Sequence, residues 1–164
     1  MQENLTTVKV GMADLNIVEH PGMITTLGLG SCIGIALYDK VTKIAGLAHI
    51  MLPDSTKIKN NSNKYKFADT AIEILLEEMV KKGAKKLHIV AKIAGGAKMF
   101  DFDSTDDLLN VGKRNAMACK EALEKLNINL IAEDTGLNYG RTVELYTEDG
   151  RFKIKTIGKG ESFI

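Results

Sequence analysis

The amino-acid sequence predicts a mixed α/β fold whose strands pair mostly antiparallel. Short apolar segments follow one another across tight polar turns, a pattern typical of hairpins rather than of the strand–helix alternation of a doubly wound sheet. Two longer segments instead repeat apolar residues at helical spacing. A length of 164 residues suits one domain, 1–164, which can bury about 70% of the surface of the unfolded chain.

Two amphipathic helices are predicted. The first spans 65–82, with Asn63 as its cap and a Lys-Lys-Gly sequence as its C-terminal signal. The second spans 112–126, and its apolar stripe includes Asn115 and Cys119, so Cys119 is interpreted as a packing residue. The predicted strands span 6–10, 15–19, 23–29, 33–38, 44–52, 87–93, 130–133, 141–146 and 151–157, and residues 158–164 are predicted to form a short tail.

Composition excludes several classes of partner. With 22 Lys and Arg against 21 Asp and Glu, the net charge is +1, so there is no electrostatic case for nucleic acid or for an anionic membrane. No apolar run approaches the about 20 residues of a membrane span, and the first residues lack the pattern of a signal peptide. The two cysteines have no paired spacing. We therefore expect a cytoplasmic protein that neither binds nucleic acid nor inserts into a membrane.

The residues that carry chemistry flank one predicted hairpin. Two apolar runs joined by a polar turn lie between Cys32 and His49 and predict an antiparallel pair. If Tyr38 pairs with Lys43, the same register places Cys32 directly opposite His49, with Cβ atoms about 4.5–5.5 Å apart. A slip of one residue would instead put the two side chains on opposite faces.

A glycine turn precedes Cys32 and favours a catalytic role for its thiol. The turn predicts free backbone N–H groups near the thiol, around Ser31 and Cys32, of the kind that stabilise an oxyanion. An imidazole at His49 can take the thiol proton, and the hydroxyl of Thr26 is a candidate to orient that imidazole. Such a pair predicts a thiolate that persists below the ordinary thiol pKa of about 8.5. The alternative is that Cys32 is simply a small buried apolar residue.

A second glycine pair follows the predicted strand 87–93. Gly95 and Gly96 are predicted to bring backbone N–H groups close to a ligand or to the loop of Cys32. Neither a P-loop nor a dinucleotide-binding spacing is present, so a phosphate- or nucleotide-binding domain is the weaker alternative. The acidic segment 101–110 lacks a metal-loop pattern. The polar segment 56–64 is interpreted either as a flap over the site or as a solvated linker.

Taken together, these motifs resemble the chemoreceptor glutamine deamidase family, CheD, of prokaryotic chemotaxis, over nearly the whole chain. The resemblance is carried by T-L-G-L-G-S-C at 26–32, A-H-I-M-L-P-D-S at 48–55, K-Y-K-F-A-D-T-A at 64–71, K-I-A-G-G-A-K-M-F at 92–100, V-G-K-R-N at 111–115 and A-E-D-T-G at 132–136.

This resemblance implies a cysteine hydrolase that converts glutamine side chains of methyl-accepting chemotaxis receptors into glutamate through a thioester. It implies a catalytic triad of Cys32 as nucleophile, His49 as general base and acid, and Thr26 as the residue that orients His49. No metal and no organic cofactor is expected, and receptor glutamyl methyl esters are a further expected substrate. The candidate oxyanion and substrate-binding residues are Gly30, Ser31, Ser55, Gly95 and Gly96.

The resemblance also implies a fold and a second role. The family's fold is a layered α/β/β sandwich with two main helices packed outside, similar to that of deamidating bacterial toxins. The second role is that of a regulatory binding module for the CheY-phosphate phosphatase CheC, which would compete with receptor for the same surface. The intact Cys32, His49 and Thr26 favour retained catalysis.

Overall fold

The computed structural model describes residues 4–99 and 110–164, in which ten strands and two helices form. The helices are α1 (Ala68–Lys81) and α2 (Val111–Lys125). The strands are β1 (Thr6–Val10), β2 (Asp14–Val18), β3 (Gly22–Leu29), β4 (Ile33–Asp39), β5 (Ala45–Ile50), β6 (Ile89–Gly95), β7 (Asn129–Thr135), β8 (Arg141–Tyr146), β9 (Phe152–Thr156) and β10 (Gly160–Phe163).

The strands form two five-stranded sheets. The outer sheet has the order β1-β3-β8-β9-β10, and the inner sheet has the order β2-β5-β4-β6-β7. Six of the eight strand pairings within the described residues are antiparallel, whereas β1 with β3 and β6 with β7 are parallel. The predicted mostly antiparallel α/β class is therefore confirmed.

The inner sheet is buried on both faces. Along β4, Ile33, Ile35 and Leu37 pack with residues of α1 and α2, whereas Ala36 and Tyr38 pack with residues of the outer sheet. Side chains of a strand alternate between its faces, so one sheet contributes to two cores. The layers run helices, inner sheet, outer sheet, which confirms the α/β/β sandwich. No helix in the described part of the chain is long and apolar enough to cross a membrane.

The helices begin and end close to the predicted residues. Helix α1 starts at Ala68, later than predicted, and Phe67 rather than Asn63 is its N-cap. The Asn63 side chain instead accepts the N–H of Tyr65 in the turn before the helix, because Asn satisfies tight turns as readily as helix ends. Helix α2 is capped by Asn110, and its Cys119 is completely buried, as the packing interpretation predicts.

The predicted C-terminal tail differs from the structure. The predicted tail contains strand β10, which pairs antiparallel with β9 through its backbone although all four of its side chains are exposed. An exposed edge strand has no buried face, so its sequence shows no apolar alternation. The acidic segment 101–110, apart from Asn110, lies outside the described residues.

The register of the β4–β5 hairpin differs from the prediction by two residues. Tyr38 pairs with Ala45 rather than with Lys43, so Gly34, not Cys32, lies opposite His49. The Asp39 carboxylate holds the longer turn by accepting the N–H groups of Val41 and Thr42. Because a two-residue shift preserves the alternation of faces, Cys32 and His49 still lie on the same side of the sheet.

Candidate active site

Cys32 lies where the chain passes from the outer sheet to the inner sheet. A bulge interrupts the pairing of β3 with β8 between Thr26 and Leu29, and Gly28 adopts a φ of +70° that favours glycine. The chain then reaches Cys32, which directly precedes β4 and is 8% exposed. The glycine turn and the thiol at a strand end are thus both present as predicted. The Gly30 N–H, however, donates to the Gly28 carbonyl at 3.1 Å because the tight turn closes on itself, so the expectation that Gly30 offers its N–H to an oxyanion is wrong.

His49 is held by a hydrogen bond that crosses between the two sheets. Its side chain is 1% exposed, and its Nδ1 lies 2.8 Å from the Oγ1 of Thr26 on β3. The same hydroxyl donates its single proton to the backbone carbonyl of Val10, also at 2.8 Å. Since a carbonyl only accepts, the Thr26 oxygen must accept from His49, and Nδ1 is therefore the protonated ring nitrogen.

This arrangement leaves the other ring nitrogen of His49 available as a base. Nε2 is buried and has no hydrogen-bond partner among the described residues. Burial also lowers the pKa of His49 below the ordinary value of 6.5, so the ring is neutral at neutral pH. A neutral imidazole with a fixed Nδ1–H and a free Nε2 lone pair is ready to accept a proton.

Gly34 keeps the space between the sheets open for this pair. It lies opposite His49, and a Cβ at this position would lie 3.1 Å from the Leu29 side chain and 3.7 Å from the Thr26 methyl group. Cys32, two residues before Gly34, is a diagonal neighbour of His49. Diagonal Cβ atoms lie somewhat less than about 7–8 Å apart, a distance that an imidazole and a thiol can bridge.

Three consecutive carbonyl groups of the Cys32 loop are held from within the protein. The carbonyl of Gly30 accepts from the Ala97 N–H at 2.9 Å, and the carbonyl of Cys32 accepts from the Gly96 N–H at 2.9 Å. The carbonyl of Ser31 accepts from Asn115 Nδ2 at 2.9 Å. In the described part of the chain, the N–H groups of Ser31 and Cys32 donate to no backbone carbonyl, as donors to an oxyanion require.

The resting protonation state differs from the sequence prediction. Burial raises the pKa of the Cys32 thiol, and the N–H of Cys32 itself offsets only part of that rise. Together with the lowered pKa of His49, this makes the resting pair a neutral thiol and a neutral imidazole rather than a thiolate and an imidazolium. The expectation of a thiolate below the ordinary pKa ignored the cost of burying two charges between the sheets.

The remaining predicted site residues have different positions. Gly95 and Gly96 lie against the Cys32 loop, and the Gly96 N–H is already used by the Cys32 carbonyl, so this pair positions the loop. Ser55 is buried at the start of a short 3₁₀ turn, where its hydroxyl donates to Asp69 at 2.7 Å. Within the described residues, no hydrogen bond joins Ser55 to Cys32 or His49.

The sequence interpretation missed two buried residues that support the site. Asn115 donates to the carbonyls of Ser31 and Met51, and a polar residue on an apolar helix stripe was the available signal. Arg141, whose side chain is fully buried, donates to Asp134 at 3.0 Å and to the Gly95 carbonyl at 3.4 Å. No signal in the sequence distinguishes Arg141 from a surface arginine. Among residues 4–99 and 110–164, no group of three or more His, Cys, Asp or Glu side chains is placed to hold a metal ion.

Comparison with known proteins places this chain in a family. A model of the family described as CheD chemotactic sensory transduction matches residues 51–156. A protein of Caldanaerobacter subterraneus subsp. tengcongensis is 58% identical over 96% of this chain and 97% of its own length. A protein of Lachnoclostridium phytofermentans is 55% identical over 96% of this chain and 98% of its own. Both relatives are called probable chemoreceptor glutamine deamidase CheD.

The chain belongs to the CheD family. The family model begins just after His49, but the alignments with the two CheD relatives cover 96% of the chain. A solved structure, that of the Neisseria meningitidis protein NMB0706, superposes with a TM-score of 0.49 at 7% identity, covering 81% of this chain and 64% of that one. Because this structural similarity is so low, the fold is assigned from the strand order of the two sheets.

Proposed function

We propose that this CheD-family protein is a chemoreceptor glutamine deamidase, which hydrolyses glutamine side chains of methyl-accepting chemotaxis receptors to glutamate and ammonia. The observation that carries the proposal is the chain of hydrogen bonds from the Val10 carbonyl through Thr26 to His49. It leaves a basic Nε2 on the same face of the inner sheet as the thiol of Cys32. The deamidase names of the CheD relatives supply the class of substrate.

The first half of the reaction forms a thioester. Nε2 of His49 takes the thiol proton while Sγ of Cys32 attacks the carbon of the glutamine carboxamide. Because the resting pair is neutral, this proton transfer accompanies the attack instead of preceding it. The N–H groups of Ser31 and Cys32 hold the oxygen of the tetrahedral intermediate. His49 then returns the proton to the departing nitrogen, and ammonia leaves.

The second half releases glutamate. His49 Nε2 takes a proton from water, the hydroxide attacks the thioester carbon, and the Cys32 sulfur leaves and recovers its proton from His49. The same acyl-enzyme forms from a glutamyl methyl ester, with methanol in place of ammonia as the first product. We therefore propose receptor methyl esters as additional substrates.

Three further proposals complete this function. Residues 1–164 form a single deamidase domain, a CheC-type phosphatase competes with receptor for the enzyme, and the protein is cytoplasmic. A cytoplasmic location suits the two free cysteines, since Cys32 must stay reduced to act as a nucleophile. Adding the phosphatase should lower the rate at which the enzyme deamidates receptor. An unchanged rate at a saturating concentration of phosphatase would count against competition by the phosphatase.

The experiment that tests the function is mass spectrometry of receptor incubated with the enzyme. Peptides that contain glutamine should gain the mass expected when a carboxamide becomes a carboxylate, and the reaction should release ammonia. Cys32→Ala is the matched negative control, because it removes only the sulfur. If receptor glutamines from a chemotaxis system of the same organism stay unchanged with the wild-type enzyme, the proposed function is wrong.

A further inference from the structure

The peptide unit between Ser31 and Cys32 is held at its carbonyl end by a side chain of the protein. Its carbonyl oxygen belongs to Ser31 and accepts from the side chain of Asn115 at 2.9 Å. Its N–H belongs to Cys32 and donates to no backbone carbonyl in the described part of the chain. In a planar trans peptide the C=O and N–H point in opposite directions. Whatever fixes the Ser31 carbonyl therefore fixes the direction of the Cys32 N–H.

The side chain of Asn115 donates hydrogen bonds to two backbone carbonyls. It is 0% exposed on α2, and its Nδ2 donates to Ser31 and, at 3.0 Å, to the carbonyl of Met51. Since both partners only accept, the orientation of the amide group is unambiguous. The amide oxygen Oδ1 is buried without a partner in the described residues, an unfavourable feature that a purely apolar side chain would avoid.

The two carbonyls belong to the two halves of the site. Ser31 immediately precedes the nucleophile, and Met51 follows the strand that carries His49. Of the three groups that hold the carbonyls of the Cys32 loop, Asn115 supplies the one side chain, whereas Ala97 and Gly96 use backbone N–H groups. This contact can thus be removed by a substitution without altering the backbone.

We propose that Asn115 is a positioning residue that holds the Ser31–Cys32 peptide so that the Cys32 N–H faces the oxyanion of the reaction. The proposal rests on the deamidase function proposed above. An oxyanion donor stabilises the transition state far more than the bound substrate, so losing its alignment lowers kcat and leaves KM nearly unchanged. Alkylation of the thiol passes through no oxyanion and should be nearly insensitive to the same change.

The test compares Asn115→Ala and Asn115→Asp with the wild type. Asn115→Asp keeps the volume and loses both donated hydrogen bonds when ionised, and Asn115→Ala removes the group altogether. Cys119→Ala, a buried position one turn further along the same helix, is the matched control for packing. Each protein is assayed for receptor deamidation and for the rate at which iodoacetamide modifies Cys32. Modification of Cys119, which is 0% exposed in the native protein, reports unfolding.

Both Asn115 variants should lose about a hundredfold in kcat with KM nearly unchanged, while Cys32 alkylation changes less than about threefold. Cys119→Ala should retain its kcat. Unchanged kcat in folded Asn115 variants would overturn the proposal. Equal losses in kcat and alkylation would also overturn it, because Asn115 would then act on the thiol and not on the oxyanion.

Folding and function have separate readouts. If Cys119 becomes reactive in both variants, Asn115→Ser is compared with the wild type instead, because its hydroxyl keeps one hydrogen-bond donor. An unchanged kcat in an Asn115→Ser protein that has lost the hydrogen bond to the Ser31 carbonyl would overturn the proposal. If iodoacetamide modifies Cys32 of the wild-type enzyme but the enzyme deamidates no receptor, the proposed function is contradicted. The failure of the function is therefore distinguishable from the failure of the Asn115 inference.

Discussion

The two cysteines lie in different surroundings although both are buried. Cys119 is on α2 with 0% exposure, packed in the core between the helices and the inner sheet, and burial strongly raises the pKa of its thiol. Cys32 is 8% exposed at the end of the sandwich, where its own N–H opposes part of the effect of burial on its pKa. His49 is a diagonal neighbour of Cys32 on the inner sheet and faces the same side.

This difference indicates what makes a buried thiol chemically useful. Burial by itself disfavours the thiolate at both positions. What distinguishes Cys32 is a neutral base on the same face and, at the turn before β4, backbone N–H groups that donate to no backbone carbonyl of the described residues. The orientation of the base depends on Thr26 and the Val10 carbonyl. The direction of the N–H groups depends on the groups that hold the carbonyls of the Cys32 loop.

The largest expected effect separates the two cysteines directly. Cys32→Ala should abolish receptor deamidation and leave the fold intact, because it removes the nucleophile and little volume. Cys119→Ala should keep most of the activity and lose about 1 kcal/mol of stability from the small cavity that it leaves. The measurements are receptor deamidation and thermal unfolding of both variants. Equal loss of activity from the two variants, with folding unharmed, would reject the assignment of the nucleophile.

The second effect concerns the tautomer of His49. Thr26→Ala should lower turnover about a hundredfold, because Nδ1 loses the partner that fixes the direction of the ring. Thr26→Ser keeps the hydroxyl and should retain much more activity. Thr25→Ala is the matched control, since the Thr25 hydroxyl also donates to a carbonyl, that of Val143. Single-turnover deamidation distinguishes the three variants, and similar rates for Thr26→Ala and Thr25→Ala would mean that a different group orients His49.

A third, smaller effect tests how the Cys32 loop is held. Gly95 and Gly83 have φ values of +110° and +112°, so alanine costs about 1–3 kcal/mol of backbone strain at either position. The two positions differ in the space around them: at Gly95 the new Cβ would clash with the Cys32 carbonyl oxygen, whereas at Gly83 its nearest neighbour would be 4.0 Å away. We expect Gly95→Ala to lower kcat about tenfold and Gly83→Ala to destabilise the protein with kcat unchanged. Matching kcat values in the two folded variants would show that the loop tolerates displacement.

The smallest effect is on stability and follows from the lowered pKa of His49. The unfolded chain takes up a proton near pH 6.5, before the folded protein does, so the free energy of unfolding should fall as the pH drops below about 6.5. Each unit by which the pKa is lowered corresponds to about 1.4 kcal/mol. Chemical denaturation of the wild type and of His49→Gln across this range measures the difference. If both proteins lose stability in parallel, His49 is not buried in its neutral form.

The mostly antiparallel α/β class and the pair of side chains on one face were predictable because both depend on periodicity, whereas the layering of the sheets was implied only by the family resemblance. Alternation along β4 and β5 survives a two-residue error in register, so Cys32 and His49 remain on one side although Gly34 is the residue opposite His49. The error itself arose in the turn, where the Asp39 carboxylate closes a longer loop than apolar patterning indicates. Turn length depends on individual hydrogen bonds, which periodicity does not encode.

The residues that hold the site were not predictable to the same degree. Thr26 was found by its chemistry and its place in the resemblance, but its second bond, to the Val10 carbonyl, depends on β1 lying parallel to β3. Asn115 acts on a loop more than eighty positions away in the chain, and Arg141 acts through the Gly95 carbonyl. Such contacts come from tertiary packing, so no local pattern in the sequence reports them.

The most direct test of the central claim, that neighbours and not burial activate Cys32, is the rate of alkylation of the two cysteines in native protein. Iodoacetamide at neutral pH should modify Cys32 faster than Cys119, and His49→Ala should slow the reaction at Cys32 while leaving Cys119 protected. Peptide mass spectrometry resolves the two sites in one sample. Identical rates at Cys32 in the wild type and in His49→Ala would contradict the claim.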